Sequence, residues 1–194
     1  MDELDLADWR ERVARLYLSD VDLEGFRAGR DDLFAHHPQS PVDQSRFTGL
    51  RYFDANPDAV VEVNLRPAQG SIDIDTGGED GIVHYRRVAI AETPYGELTL
   101  WWIAAYGGGL FLPVHDGTCG DTTYGGGRYL TDSVKGTHSR GLVVRPDGRV
   151  QLDFNYLYNP SCAYTDEYLC PLAPPENRVT APIEAGELTY PNQP

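Results

Sequence analysis

The sequence predicts a mainly β protein: an antiparallel β-barrel, roll or sandwich with two N-terminal helices packed against it. Before about residue 40 the apolar side chains recur at helical spacing; from Phe47 onward they alternate with polar ones, as in strands with one buried face. The alternating runs are joined by short Gly-, Pro- and Asp-containing segments, too short for the dozen or so residues of a parallel crossover. With 194 residues and 41% hydrophobic side chains, the chain can bury a sizeable core. The predicted organisation is a single domain over 1–194, with a helical segment over 1–40 and an antiparallel body over 45–190 that closes in an irregular C-terminal clasp.

The first helix rests on Leu6, Trp9, Val13, Leu16 and Tyr17, which share one helical face; Asp5 is placed to cap it, with Asp8 three residues on. A second helix is expected near Leu23 to His37, with Phe26, Leu33 and Phe34 as its apolar side. Gly25 and Gly29 weaken it, each by about 1 kcal/mol relative to Ala. In HHPQSP, Pro38 and Pro41 stop it, because the residue before a proline is pushed extended. His36 and His37 then stand where an imidazole meets exposed carbonyls of a helix end.

Strands follow. Val61, Val63 and Leu65 alternate with polar neighbours, and SIDID (71–75) alternates Ile with Asp. GIVHYRRVAIAE (81–92) and ELTLWWIAAY (97–106) flank TPYG, a hairpin turn, and AYGGGLFLPV (105–114) supplies another turn and strand. GLVVRPDGRVQLDF (141–154) is the clearest hairpin, its apolar runs meeting at Pro146-Asp147-Gly148.

Composition narrows the function classes. Net charge is −14; Arg supplies 15 of the 16 basic residues, Lys135 is the only lysine, and Asp outnumbers Glu 19 to 11. Abundant short carboxylates with almost no lysine resemble the surfaces of proteins from salt-accumulating cells, where salt screens the self-repulsion. No basic run exists to grip nucleic-acid phosphates, so no nucleic-acid partner is expected. The longest apolar run, Leu98 to Tyr106, is too short to span a bilayer and no membrane partner is expected. The acidic, amphipathic MDELDLADWRERV lacks the basic-then-apolar order of a secretory signal, which makes the expected location cytoplasmic. No cofactor motif is found, and oligomeric state is not indicated.

LDFNYLYNPSCAYTDEYLCPLAPPENR (152–178) concentrates Asn, Cys, Tyr and Pro in a segment that an ordinary strand would not need. Together with HDGTCGDTTYGGGRYL (115–130) and IEAGE (183–187) it resembles domain-of-unknown-function family 1684, known from bacteria and archaea and without an established activity. The similarity extends upstream through FTGLRYFDANP (47–57) and RDDLFAHHPQSP (30–41), so that it runs from about Trp9 to Glu187. One departure is that Val114-His115 precedes Asp116 where the family pattern has an aromatic-basic pair; another is Cys119, where a small polar residue is usual. The resemblance implies a family and no reaction.

Within these segments Asp116 and Asp153 are a candidate acid-base pair, since burial can raise one carboxyl while hydrogen bonds lower the other; each can equally cap a turn. Gly125, Gly126 and Gly127 before Arg128 can form an anion-binding concavity with a guanidinium fork, or simply a tight turn. Tyr124, Arg128, Asn155, Tyr158, Asn159, Tyr164 and Asn177 are the candidate contacts for a small polar or anionic ligand; the same residues can instead fix a clasp over the end of the β body. Phe154, Tyr156 and Tyr158 alternate with Asn155, Leu157 and Asn159 as in a strand that ends at Asn159-Pro160. Cys162 and Cys170 are weak metal ligands at this spacing, even with His115 and Cys119 added, and stand as free thiols or a disulfide. The expected function is therefore a ligand-binding β domain, with a fold-only protein or a hydrolase-type enzyme using Asp116 and Asp153 as alternatives.

Overall fold

A computed structural model describes residues 2–77 and 81–191; residues 1, 78–80 and 192–194 lie outside the described residues. Helix α1 (Asp2–Leu18) starts before the expected Asp5 cap, which lies inside the first helical turn, where three acidic residues face the positive end of the helix dipole. Helix α2 (Leu23–His36) is capped by Asp22, whose carboxylate accepts from the Gly25 N–H at 2.8 Å. Gly29 has a packing reason: a Cβ there would stand 2.6 Å from Leu16 Cδ1, so the missing side chain lets α1 close onto α2. His36 does meet a helix-end carbonyl, Asp32 O at 3.0 Å, whereas His37 is buried and reaches across to Asp8 at 3.0 Å.

Nine strands follow: β1 (Val60–Val63), β2 (Leu65–Pro67), β3 (Ser71–Asp75), β4 (Ile82–Thr93), β5 (Gly96–Ile103), β6 (Gly109–Val114), β7 (Arg128–Asp132), β8 (Leu142–Val144) and β9 (Val150–Asp153) among the described residues. They form two antiparallel sheets, one in the order β1-β9-β8 and one in the order β2-β4-β5-β6-β7, with β3 also on β4. Neither sheet closes into a barrel. The alternating stretch Val61 to Leu65 is split at Asn64: β1 pairs with β9 and β2 with β4, so one run of residues feeds both sheets. The TPYG and Pro146-Asp147-Gly148 hairpins form as expected, joining β4 to β5 and β8 to β9.

The part of the larger sheet formed by β5, β6 and β7 is largely buried on both faces. Leu98, Leu100, Leu112, Val114 and Leu130 meet Val63, Val150 and Leu152 of the smaller sheet in one apolar core. The other face is aromatic, with Tyr85, Trp101, Phe111 and Tyr129 in contact. Each such side chain contributes about 1.5–3 kcal/mol through the apolar area removed from water. This face is closed by the C-terminal tail, where Asn177 accepts from the Trp101 indole N–H at 2.7 Å and donates to Thr99 O and Pro113 O. The helices add a third apolar cluster, again aromatic: Phe34 with Tyr164 and Tyr190, and Trp9 packed on its edge.

Candidate functional site

The glycine-arginine stretch and the amide-rich tail do come together: Tyr129 and Tyr158 exchange backbone hydrogen bonds of 2.8 and 3.0 Å. Their polar side chains then divide between two clusters.

The first cluster surrounds Arg128. Gly127, at φ +90°, turns the chain into β7; its missing Cβ leaves room for Val114 O, 2.7 Å from where that atom would lie. Arg128 is completely buried and donates to Asp116 Oδ2 at 2.8 Å and to Ile183 O, Ala185 O and Glu187 O at 3.0, 2.5 and 3.2 Å. Asp116 completes the knot by accepting from the Thr118 N–H, the Thr118 hydroxyl and the Ile183 N–H at 2.9, 2.6 and 3.0 Å. Burial alone would raise the Asp116 carboxyl, but Arg128 and these donors outweigh it and hold it below the usual range. The guanidinium fork thus grips the IEAGE backbone of the chain itself.

Asn155 and Asn177 serve backbone in the same way. The expected strand through 154–158 is corrected: β9 ends at Asp153, and Phe154–Tyr156 form a 3-10 turn whose Asn155 N–H donates to the Asp153 carboxylate. Asn155 accepts from Asn56 N–H and donates to Asn56 O, both at 2.8 Å, tying this turn to the entry of β1. Burial pushes the Asp153 carboxyl up, with Asn155 opposing it. Asp116 and Asp153 therefore shift in opposite directions, as an acid and a base must, but they share no hydrogen-bond partner among the described residues.

The second cluster lies where α1 and α2 meet the body. A cavity of about 90 Å³ is walled by Trp9, Leu16, Phe34 and Tyr158, with Arg30, Asn159 and Tyr164 also on its lining. Three of these lining residues bond Glu187, which is 1% exposed: it accepts from Arg30 and from the Asn159 N–H at 2.9 and 3.0 Å and from the Tyr164 hydroxyl. Burial raises the Glu187 carboxyl, and Arg30 pulls it back. Three buried polar atoms of lining residues have no hydrogen-bond partner within 3.5 Å among the described residues: Tyr17 Oη, which feels the nearby Arg30 charge, Arg30 Nε and Asn159 Oδ1. Tyr124 lies elsewhere, its hydroxyl donating to Cys162 Sγ at 3.5 Å. The three cysteines are free thiols, and no group of three or more His, Cys, Asp or Glu side chains converges as a metal site among the described residues.

The segments on which the family resemblance rests are thus those that build both clusters, and the family model for "Protein of unknown function (DUF1684)" matches residues 45–188. The chain belongs to this family. The matched region covers the DUF1684 β body and tail and leaves RDDLFAHHPQSP outside it. The chain is also similar to a solved structure, the solution NMR structure of the uncharacterized protein from gene locus rrnAC0354 of Haloarcula marismortui. The identity is 33% over 99% of this chain and 100% of that one, with a TM-score of 0.59, so that likeness takes in both helices. No curated protein matches the chain.

Of the seven candidate contacts, Tyr158, Asn159 and Tyr164 line the cavity, whereas Arg128, Asn155 and Asn177 hold backbone. The sequence alone does not point to Tyr17, Arg30 or Glu187. A signal existed for Arg30, since it sits four residues from both Phe26 and Phe34 on the buried stripe of α2. None existed for Glu187, whose partner lies 157 residues away.

Proposed function

We propose that this DUF1684 protein binds a small, neutral polar molecule in the cavity between its helices and its β body. The observation that carries the reading is the set of three unpartnered buried atoms, Tyr17 Oη, Arg30 Nε and Asn159 Oδ1, on the lining of one aromatic-walled cavity. A buried polar group left without a partner costs about 1–3 kcal/mol, so three of them on one cavity favour an occupant that supplies the missing bonds. The set requires an occupant that both donates and accepts, because Arg30 Nε–H only donates and Asn159 Oδ1 only accepts. Glu187 neutralises Arg30, which favours the polar over the anionic half of the sequence expectation: a neutral amide or protonated acid. At about 90 Å³ the space suits a handful of heavy atoms rather than a nucleotide or sugar. The net charge of −14 and the Haloarcula marismortui relative support a surface adapted to high salt.

The test is a titration of the isotope-labelled protein with acetamide, urea and acetate, read by 1H–15N correlation spectra. The Trp9 indole, the Arg30 Nε–H and the Asn159 amide should move together with acetamide or urea, and Val13→Phe, which fills the wall, should abolish the shifts. If none of the three probes moves them, and native mass spectrometry of freshly purified protein shows only the bare chain, a fold-only role for the cluster replaces the proposal.

A further inference from the structure

Cys162 and Cys170 line a groove of about 560 Å³ together with Tyr124, Tyr168, Leu169 and Leu172. The chain turns back between the two cysteines so that the Cys162 N–H donates to Cys170 Sγ at 3.4 Å, while the Tyr124 hydroxyl donates to Cys162 Sγ. Both thiols are partly exposed, and the groove wall beside them presents apolar surface to solvent, with Leu169 56% exposed. Two donors are thus spent on two sulfurs at an accessible surface, an arrangement that a packed, inert thiol does not need.

We infer that Cys170 is a peroxide-reactive thiolate and that Cys162 is the thiol that resolves it. The inference is independent of the ligand proposed for the helix cavity. Cys170 is assigned as the nucleophile because its sulfur accepts the Cys162 backbone N–H in the groove; the Cys162 contact and the positive charge of Lys135 also hold it below the usual thiol range against burial. Cys162 is pushed the other way by the same contact and by burial, with the Tyr124 hydroxyl opposing. Cys119, raised by burial and by the Asp116 carboxylate, lacks this activation.

The Cys170 thiolate attacks the distal oxygen of a hydroperoxide; an S–O bond forms, the O–O bond breaks, and the leaving alkoxide or hydroxide takes a proton from solvent. Cys162 sulfur then attacks the sulfenic sulfur, forming the S–S bond as the S–O bond breaks, and its own proton leaves with the hydroxyl as water. Two thiols lose two electrons and the peroxide gains them. An external dithiol restores the pair by exchange.

The test uses the full chain, reduced, desalted and treated with one equivalent of hydrogen peroxide. Tryptic cleavage places Cys162 and Cys170 together in the peptide 150–178 and Cys119 in 88–128, so mass spectrometry separates them. The 150–178 peptide should lose 2 Da and regain it with dithiothreitol, at least tenfold faster than any change at Cys119. Cys162→Ser keeps a hydroxyl donor and should leave a sulfenic acid on Cys170 that a 1,3-diketone traps. Oxidation of Cys119 at an equal rate, trapping at Cys162 instead, or direct conversion of wild-type Cys170 to sulfinic acid would each overturn the assignment. Because the first measurement is made on the wild-type protein, a poorly folding variant does not blunt it.

Discussion

Two buried arginines reach for the same C-terminal stretch and end differently. Arg128 donates to one carboxylate and three tail carbonyls; Arg30 donates to Glu187 and lines a cavity shared with Tyr17 and Asn159. Each leaves its Nε without a partner, so an orphaned atom by itself separates nothing. What differs is the company: around Arg128 the neighbouring groups are consumed by backbone, whereas around Arg30 the unmatched atoms gather on one lining. The contrast teaches that a polar cluster is read as a site by what it has left over, not by how many polar residues it holds.

The largest expected effect tests the first half of that contrast. Arg128→Met strands the buried Asp116 and three tail carbonyls and should cost about 3–5 kcal/mol, seen as a lowered urea midpoint at pH 7. Arg30→Met removes the counter-charge of buried Glu187, but that carboxyl is already raised by burial and can take up a proton while Tyr164 and Asn159 stay in place, so the cost should be smaller; equal losses would break the comparison.

A second, smaller effect lies in the pH dependence. Asp116 is lowered in the folded protein, so its contribution is fully present above the ordinary Asp value of 3.8 and is lost as pH falls through the folded value. Asp153 is raised, so its charged form is disfavoured by folding and the linkage runs the other way. Denaturant midpoints from pH 3 to pH 7 should show the penalty of Asp116→Asn growing with pH, and the relative stability of Asp153→Asn improving with it. Parallel pH trends in the two variants would show that their environments do not diverge.

The smallest effect sharpens the second half. The Tyr17 hydroxyl is buried without a hydrogen-bond partner within 3.5 Å among the described residues, so Tyr17→Phe should change stability by less than about 0.5 kcal/mol or raise it. A loss above about 1 kcal/mol in the protein as purified, measured by the same denaturant method, would mean that the hydroxyl already bonds an occupant.

Much of the fold was legible because its signals are local. The TPYG and Pro-Asp-Gly turns specify their hairpins within a few residues, and the switch from helical to alternating periodicity marks where the helices stop. Alternation misled where a local hydrogen bond overruled it: Asp153 takes the Asn155 N–H and bends the aromatic run 154–158 out of the strand. It was silent at Asn64, because a residue's period says which face it shows and not which sheet it joins. In the candidate site, Tyr158, Asn159 and Tyr164 were readable as residue types in an unusual segment, but their separation from Arg128, Asn155 and Asn177 was not.

By itself the amino-acid order determined the element types, the antiparallel hairpins, the acidic Arg-over-Lys character and the family, since propensity, periodicity and charge are properties of neighbouring residues. Only the tertiary structure decided that the two sheets stay open, that Arg128 serves the tail, and that Arg30 meets Glu187 beside a cavity. Those outcomes depend on which of several chemically equivalent partners lies within about 3 Å after burial, and a hydrogen bond's reach is far shorter than the sequence separations it spans here.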